Sequence, residues 1–161
     1  MPAPRLSLRS LLQPLIRPLF HAHARHTRGM TLGVRGLVTD AEGRVLLIEH
    51  TYMPGWYMPG GGVEHGETTE ESLARELVEE AGVEITAPPR LVSIHANQGR
   101  FRGDHVLLYR IDHWRPCPAT SRGEIKALGW FALDALPEET TASTLRRIAE
   151  VLQGTEVDLR W

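Results

Sequence analysis

The chain holds a single cysteine, Cys117, and a single lysine, Lys126, among 161 residues. One cysteine closes no intrachain disulfide and builds no paired-cysteine zinc site, so a reducing, cytoplasmic setting is expected. Aromatic residues make up only 6%, and no apolar run approaches the roughly 20 residues of a membrane span. With 42% hydrophobic and 24% charged residues the composition is that of a soluble globular protein, which excludes intrinsic disorder, and the length suits one main domain. Acidic residues are missing altogether from the first 39 positions, which hold six arginines; the remainder carries twelve basic and twenty acidic side chains. A +6 stretch thus precedes a −8 body. Seven of the twenty acids crowd between Gly61 and Val83, and such crowding costs self-repulsion unless something positive sits there. It is the first sign of a bound cation.

Residues 1–28 read as an arginine-rich helical arm separate from a domain at 29–161. Leucines at 6, 8, 11, 12, 15 and 19 recur near helical spacing but are interrupted by Pro14 and Pro18, as in a broken amphipathic helix. The arm is expected to serve docking or homodimerisation; it also resembles a transit peptide or membrane-surface helix, and it lacks a secretory cleavage pattern. His21, His23 and His26 suit no common metal spacing and read as surface residues.

From Met30 the pattern becomes β-like. Leu32, Val34, Gly36 and Val38 alternate with small or polar residues, Asp40-Ala41-Glu42-Gly43 reads as a turn, and Val45–Ile48 follows, so a β-hairpin is expected. The glycine and proline run from Pro54 to Gly62 is too irregular for an element and frames a site. Strands are expected near Leu91–Ala96, His105–Ile111 and Trp130-Phe131, with a last helix over Ser143–Leu152 stopped by Gly154.

Between these lies the most informative segment. Thr68 stands three residues before Glu71, a capping-box arrangement, and Gly82 closes a helix of about three turns. At 100° per residue Leu73, Leu77, Ala81, Ala74 and Val78 share one arc, and Glu76, Glu79 and Glu80 share another. Only Arg75 is at hand to answer those acids, and spacing alone leaves both a metal site and a solvated face open.

The full pattern runs Gly61, five residues, Glu67, seven residues, then Arg75-Glu76-Leu77-Val78-Glu79-Glu80-Ala81-Gly82-Val83. It resembles the Nudix hydrolase signature at every fixed position. Trp56–Gly62 looks like that family's lead-in loop, and Glu124 with Trp130-Phe131 and Leu136-Pro137 looks like its later strand and loop, so the likeness spans roughly residues 30 to 140. The resemblance implies an α/β fold, a Nudix-type α/β/α sandwich with a mixed β-sheet.

It also implies a metal-dependent hydrolase that cleaves the diphosphate linkage of a nucleoside diphosphate derivative, such as a nucleotide sugar, an ADP-ribose-like compound or a nucleoside triphosphate. Glu76, Glu79 and Glu80 would be carboxylate ligands, with the Gly60 carbonyl and Glu124 as further ligands. Such all-oxygen donors favour magnesium or manganese over zinc. Arg75 would orient the glutamates, Glu67 would be structural, and Glu79, Glu80 and Glu124 are the candidates for water activation. The family pattern commonly adds an acid three residues after Glu124, where this chain has Ala127. Trp56, Arg100 and Arg102 are the candidate substrate contacts: Trp56, like its neighbour Tyr57, could stack on a base, and the basic loop also holds Asn97, Gln98 and Phe101. The proline marking ADP-ribose enzymes is absent, as is the tyrosine of diadenosine polyphosphate enzymes, so the subfamily stays open. Two other readings remain: a non-catalytic Nudix-like nucleotide-sensing or partner-binding module, which an eroded signature would favour, and an RNA 5′-end pyrophosphohydrolase using the basic arm.

Overall fold

A computed structural model of the chain describes residues 29–99, 102–120 and 123–161; the expected helical arm and Arg100 lie outside them. Residues 31–161 form one compact unit. Its elements are β1 (Thr31–Val38), β2 (Val45–His50), β3 (Trp56–Tyr57), α1 (Thr69–Ala81), β4 (Val83–Ile85), β5 (Arg90–Ala96), β6 (Asp104–Ile111), β7 (Trp114–Pro116), β8 (Ile125–Phe131) and α2 (Ala142–Ile148). A π-helical turn, Ala149–Gln153, continues α2 and ends at Gly154 in the left-handed region.

The strands form three small sheets, ordered β1-β6-β5, β3-β2-β8 and β4-β7. The first is mixed, because β1 runs parallel to β6 while β5 runs antiparallel to it. Side chains alternate across a strand, so this sheet feeds two cores. Val34, Val38, Leu107, Tyr109 and Ile111 meet Leu73 and Leu77 of α1 on one face. Leu37 and Leu108 meet Met58 and Ile148 of α2 on the other. A helix therefore covers each side, which is the α/β/α sandwich. Among the described residues no helix is long and apolar enough to cross a membrane.

The expected hairpin does not form. Asp40 makes the turn, its Oδ1 accepting from the backbone N–H groups of Glu42 (3.1 Å) and Arg44 (2.8 Å), and Gly43 takes φ +76°. Beyond a single Thr39–Val45 bridge the strands part company. One edge of β1 pairs with β6. Along the other, Val34 N–H donates to Gly61 O, Gly36 N–H to Pro59 O and Val63 N–H to Leu32 O, each at 2.9 Å. With both edges satisfied β1 has no backbone left for β2, which pairs with β3 and β8 instead. The same ladder fastens the glycine run to the sheet.

Candidate active site

The helix α1 begins and ends as its sequence predicts. Thr68 caps it, its hydroxyl accepting from Glu71 N–H while the Glu71 carboxylate accepts from Thr68 N–H, and Gly82 closes it at φ 61°. Leu73 and Leu77 are fully buried against β1, which fixes the rotation of the helix and turns Glu76 and Glu80 toward the glycine run. At Gly60 the backbone takes φ +136°, and a Cβ would run into the Val34 carbonyl; at Gly61 a Cβ would occupy the Glu76 carboxylate. Glycine lets the backbone pass directly beneath the acids. Gly60 N–H then donates to Glu80 Oε2 at 2.7 Å.

Arg75 organises the rest. Its Nε and Nη2 hold Glu67 in a two-pronged pair at 2.8 and 3.1 Å, and its Nη1 reaches Glu76 Oε1 at 2.9 Å and Glu79 Oε2 at 3.3 Å. The guanidinium keeps the Glu67 carboxyl down at about 2, and its own pKa rises in return. Arg75 thus touches three acids at once, as an orienting residue would. Glu76 and Glu80 behave differently from Glu67. Burial pushes both upward, Glu80 to about 7, against the opposing pull of Gly60 N–H on Glu80 and of Arg75 on Glu76. The charges of Glu76 and Glu124 add to the rise at Glu80, so Glu124, just before β8, belongs to the same electrostatic cluster.

These acids crowd together, yet among the described residues no three His, Cys, Asp or Glu side chains form a ready-made metal-binding group. Their carboxylates are turned to Arg75 and to Gly60 instead. The donor set is still the right kind for a hard divalent cation: carboxylate oxygens, partly desolvated and short of positive charge.

A cleft of about 350 Å³ adjoins the cluster, with Gly61, Arg35, Met58, Asn97, Asp104 and Trp161 among its lining residues. Arg35 joins cluster and cleft, since its Nη1 donates to Met58 O at 2.9 Å while its charge lowers both Glu76 and Glu80. Two expected substrate contacts lie elsewhere. Trp56 packs edge-on against Phe131, ring centroids 4.9 Å apart, among the side chains around Leu37 and Met58. Its neighbour Tyr57 lines the cleft. Arg102 is exposed in the turn between β5 and β6 and is not a lining residue.

Sequence reasoning passed over Arg35, His50 and Trp161. His50 is buried, with Nδ1 3.9 Å from Glu80 Oε1 and its ring 5.0 Å from that of Tyr52 and 5.8 Å from that of Tyr57. Arg35 is the one charged residue of β1, and that was the available sign for it; nothing local marked the other two.

Comparison with known proteins bears on this arrangement. The NUDIX domain family model matches residues 29–152. The chain is 29% identical over 130 residues to a MutT-like protein of Streptomyces ambofaciens, covering 81% of this chain and 82% of that one. It is 34% identical over 104 residues to the NAD-capped RNA hydrolase NudC of Chromobacterium violaceum; these cover 63% of this chain but only 38% of that longer relative. Among solved structures, the MutT NUDIX hydrolase from Burkholderia pseudomallei superposes with a TM-score of 0.62 at 30% identity, covering 74% of this chain and 94% of that one.

Proposed function

The chain belongs to the Nudix family and is a Nudix-type pyrophosphohydrolase; from that premise we propose that it cleaves the diphosphate linkage of a nucleoside diphosphate derivative with the help of magnesium or manganese. The observation that carries this reading is the placement of half-buried Glu76 and buried Glu80 against a glycine run that also borders the cleft. Glu76, Glu79 and Glu80, with the Gly60 carbonyl, would hold the cation. The carbonyls of Pro59 and Gly61 are already committed to β1. A cation bound there supplies the positive charge that offsets the diphosphate and polarises the attacking water.

The chain's own residues do the rest. Arg75 and Glu67 lock the α1 carboxylates in direction, and Gly60 N–H fixes Glu80. Arg35, between the acids and the cleft, is placed to meet a phosphate oxygen. Glu124 accepts the proton as the water oxygen bonds to phosphorus and the phosphorus–oxygen bond of the anhydride breaks, the leaving phosphate taking the electron pair.

The test is a screen of nucleotide sugars, ADP-ribose, dinucleotides and nucleoside triphosphates with magnesium, reading phosphate-containing products. Release of a nucleoside monophosphate from at least one class is the expected result; no turnover of any class at saturating magnesium would leave a non-catalytic module. A second reading, hydrolysis at RNA 5′ ends, draws on the NudC likeness and on the six arginines of residues 1–39. Oligonucleotides with NAD or triphosphate 5′ ends belong in the same screen, and faster turnover of these than of any small compound would favour it.

Arg75→Lys offers a sharper check on the cluster. One ammonium cannot reproduce the fork that holds Glu67 while also reaching Glu76 and Glu79. Activity should fall about 10- to 100-fold and the magnesium requirement should rise, as for losses of residues that orient metal ligands. An unchanged magnesium titration would deny Arg75 that role.

A further inference from the structure

Arg147, on α2, is wholly buried, an expensive place for a guanidinium unless its hydrogens find acceptors. Its Nη2 donates to Glu150 Oε1 in a short ion pair, and its Nη1 donates to the Arg160 carbonyl at 3.0 Å. Glu150 Oε1 also accepts from Asp158 N–H at 2.9 Å. Buried His95 completes the group: its Nδ1 lies 2.6 Å from the Asp158 carbonyl and 3.0 Å from Arg147 Nη1, and its Nε2 lies 2.7 Å from the Ser93 hydroxyl. Burial, with the nearby Arg147 charge, holds the His95 pKa below the usual imidazole range. Three buried side chains therefore seize three backbone groups of one short segment, Asp158–Arg160.

The segment is held along β5 as well. Ala96 N–H donates to Leu159 O at 2.9 Å, and Trp161 N–H donates to Ala96 O at 3.0 Å. Apolar burial does not explain the investment, because Asp158, Leu159 and Arg160 are all exposed and Leu159 is 72% so. Of residues 158–161 only Trp161 turns inward, where it forms part of the cleft wall. The His95 ring meets it edge-on at 5.5 Å, and the Arg147 guanidinium carbon lies 5.5 Å from its ring centroid. A buried ion pair adds little net stability compared with apolar packing, but it sets direction strictly. What it sets here is the place of one indole.

The cleft has two ends of different chemistry. Gly61 and Arg35 lie beside the acids, where the diphosphate is proposed to sit. Elsewhere Trp161 is joined by Asn97 and Asp104, whose side chains are bonded to each other at 2.7 Å and, through Asp104 Oδ1, to the Thr31 hydroxyl at 2.7 Å. A flat apolar ring with polar acceptors nearby matches a planar heteroaromatic base. Accepting the proposed diphosphate chemistry, we infer that Trp161 is a specificity-determining residue that packs against the nucleobase of the substrate, and that Arg147, Glu150 and His95 are positioning residues that hold it there. No residue of the family signature takes part, and the network would discriminate between substrates without altering the reacting centre.

The experiment compares the wild-type chain with Trp161→Ala, Trp161→Phe and Arg147→Met. Its readouts are KM and kcat on the best small substrate of the screen, and calorimetric binding, with magnesium, of AMP, GMP and ribose 5-phosphate. Trp161→Ala should raise KM and weaken binding of the better nucleotide about ten-fold or more, in keeping with base–aromatic stacking, while kcat changes by less than about three-fold. Ribose 5-phosphate binding should not change, Trp161→Phe should stay near wild type, and Arg147→Met should follow Trp161→Ala. Unchanged nucleotide binding in Trp161→Ala, or equal weakening toward ribose 5-phosphate, would overturn the role of Trp161. A wild-type KM in Arg147→Met would overturn the positioning role. Should the wild type turn over no diphosphate compound, the proposed activity fails by itself, and the binding comparison alone still decides between a base-dependent loss, which upholds the inference, and none, which ends it.

Discussion

Glu80→Gln should cut turnover by several orders of magnitude and, in the same metal-free protein, raise stability at pH 8. The two effects share one cause. Glu80 is 8% exposed and its pKa stands at about 7, chiefly from burial, against an ordinary value of 4.5. Below pH 4.5 the carboxyl is protonated whether the chain is folded or not. Between 4.5 and 7 the folded state holds the proton that the unfolded state releases, so stability falls with rising pH and is lowest above 7. A glutamine never ionises, and its carbonyl can keep the Gly60 N–H bond. Denaturation in EDTA should show wild type and variant alike near pH 4.5 and the variant ahead at pH 8, by on the order of 2–3 kcal/mol. Turnover moves the other way because the amide brings no charge to a cation or a developing phosphate charge. Glu79→Gln makes the control: its side chain is 42% exposed, so turnover should fall with little change in stability. Wild-type turnover in either variant at saturating magnesium would remove that glutamate from the site.

That contrast between neighbouring glutamates was only half legible in the sequence. The capping box, Gly82 and the shared arc of Glu76, Glu79 and Glu80 are local features, governed by residues within a few positions of one another, and α1 forms as they imply. Which acid is buried depends on how β1 approaches the helix, and that lies outside the local pattern. Pairing is non-local in the same way. Alternation marked Thr31–Val38 as a strand, but its parallel partner begins at Asp104, and a period of two cannot name a partner 73 residues away. The expected hairpin failed for that reason. The Arg147, Glu150 and His95 network joins three segments and carries no motif. Its one local trace was an Arg–Glu pair at i, i+3 in the last helix.

Glu124 is the remaining test of how water is activated, since it reaches the cluster from just before β8 and not from α1. Thr51 anchors its backbone, with N–H donating to Glu124 O at 2.8 Å and the hydroxyl placed 3.2 Å from that carbonyl and 3.0 Å from Gly123 O. The side chain is exposed, yet close enough to Glu80 for its charge to raise that residue's pKa. Ala127 stands three residues later, so Glu124 is the acid that this segment offers the site. A carboxylate so placed can take the proton of an attacking water, and general-base assistance is typically worth about 10²–10⁴-fold. Glu124→Gln should therefore lower kcat by about that factor at every magnesium concentration, with KM little changed. If the carboxylate serves instead as a ligand, excess magnesium restores much of the rate, because the loss then lies in affinity. Wild-type rates with unaltered magnesium dependence would return water activation to the glutamates of α1.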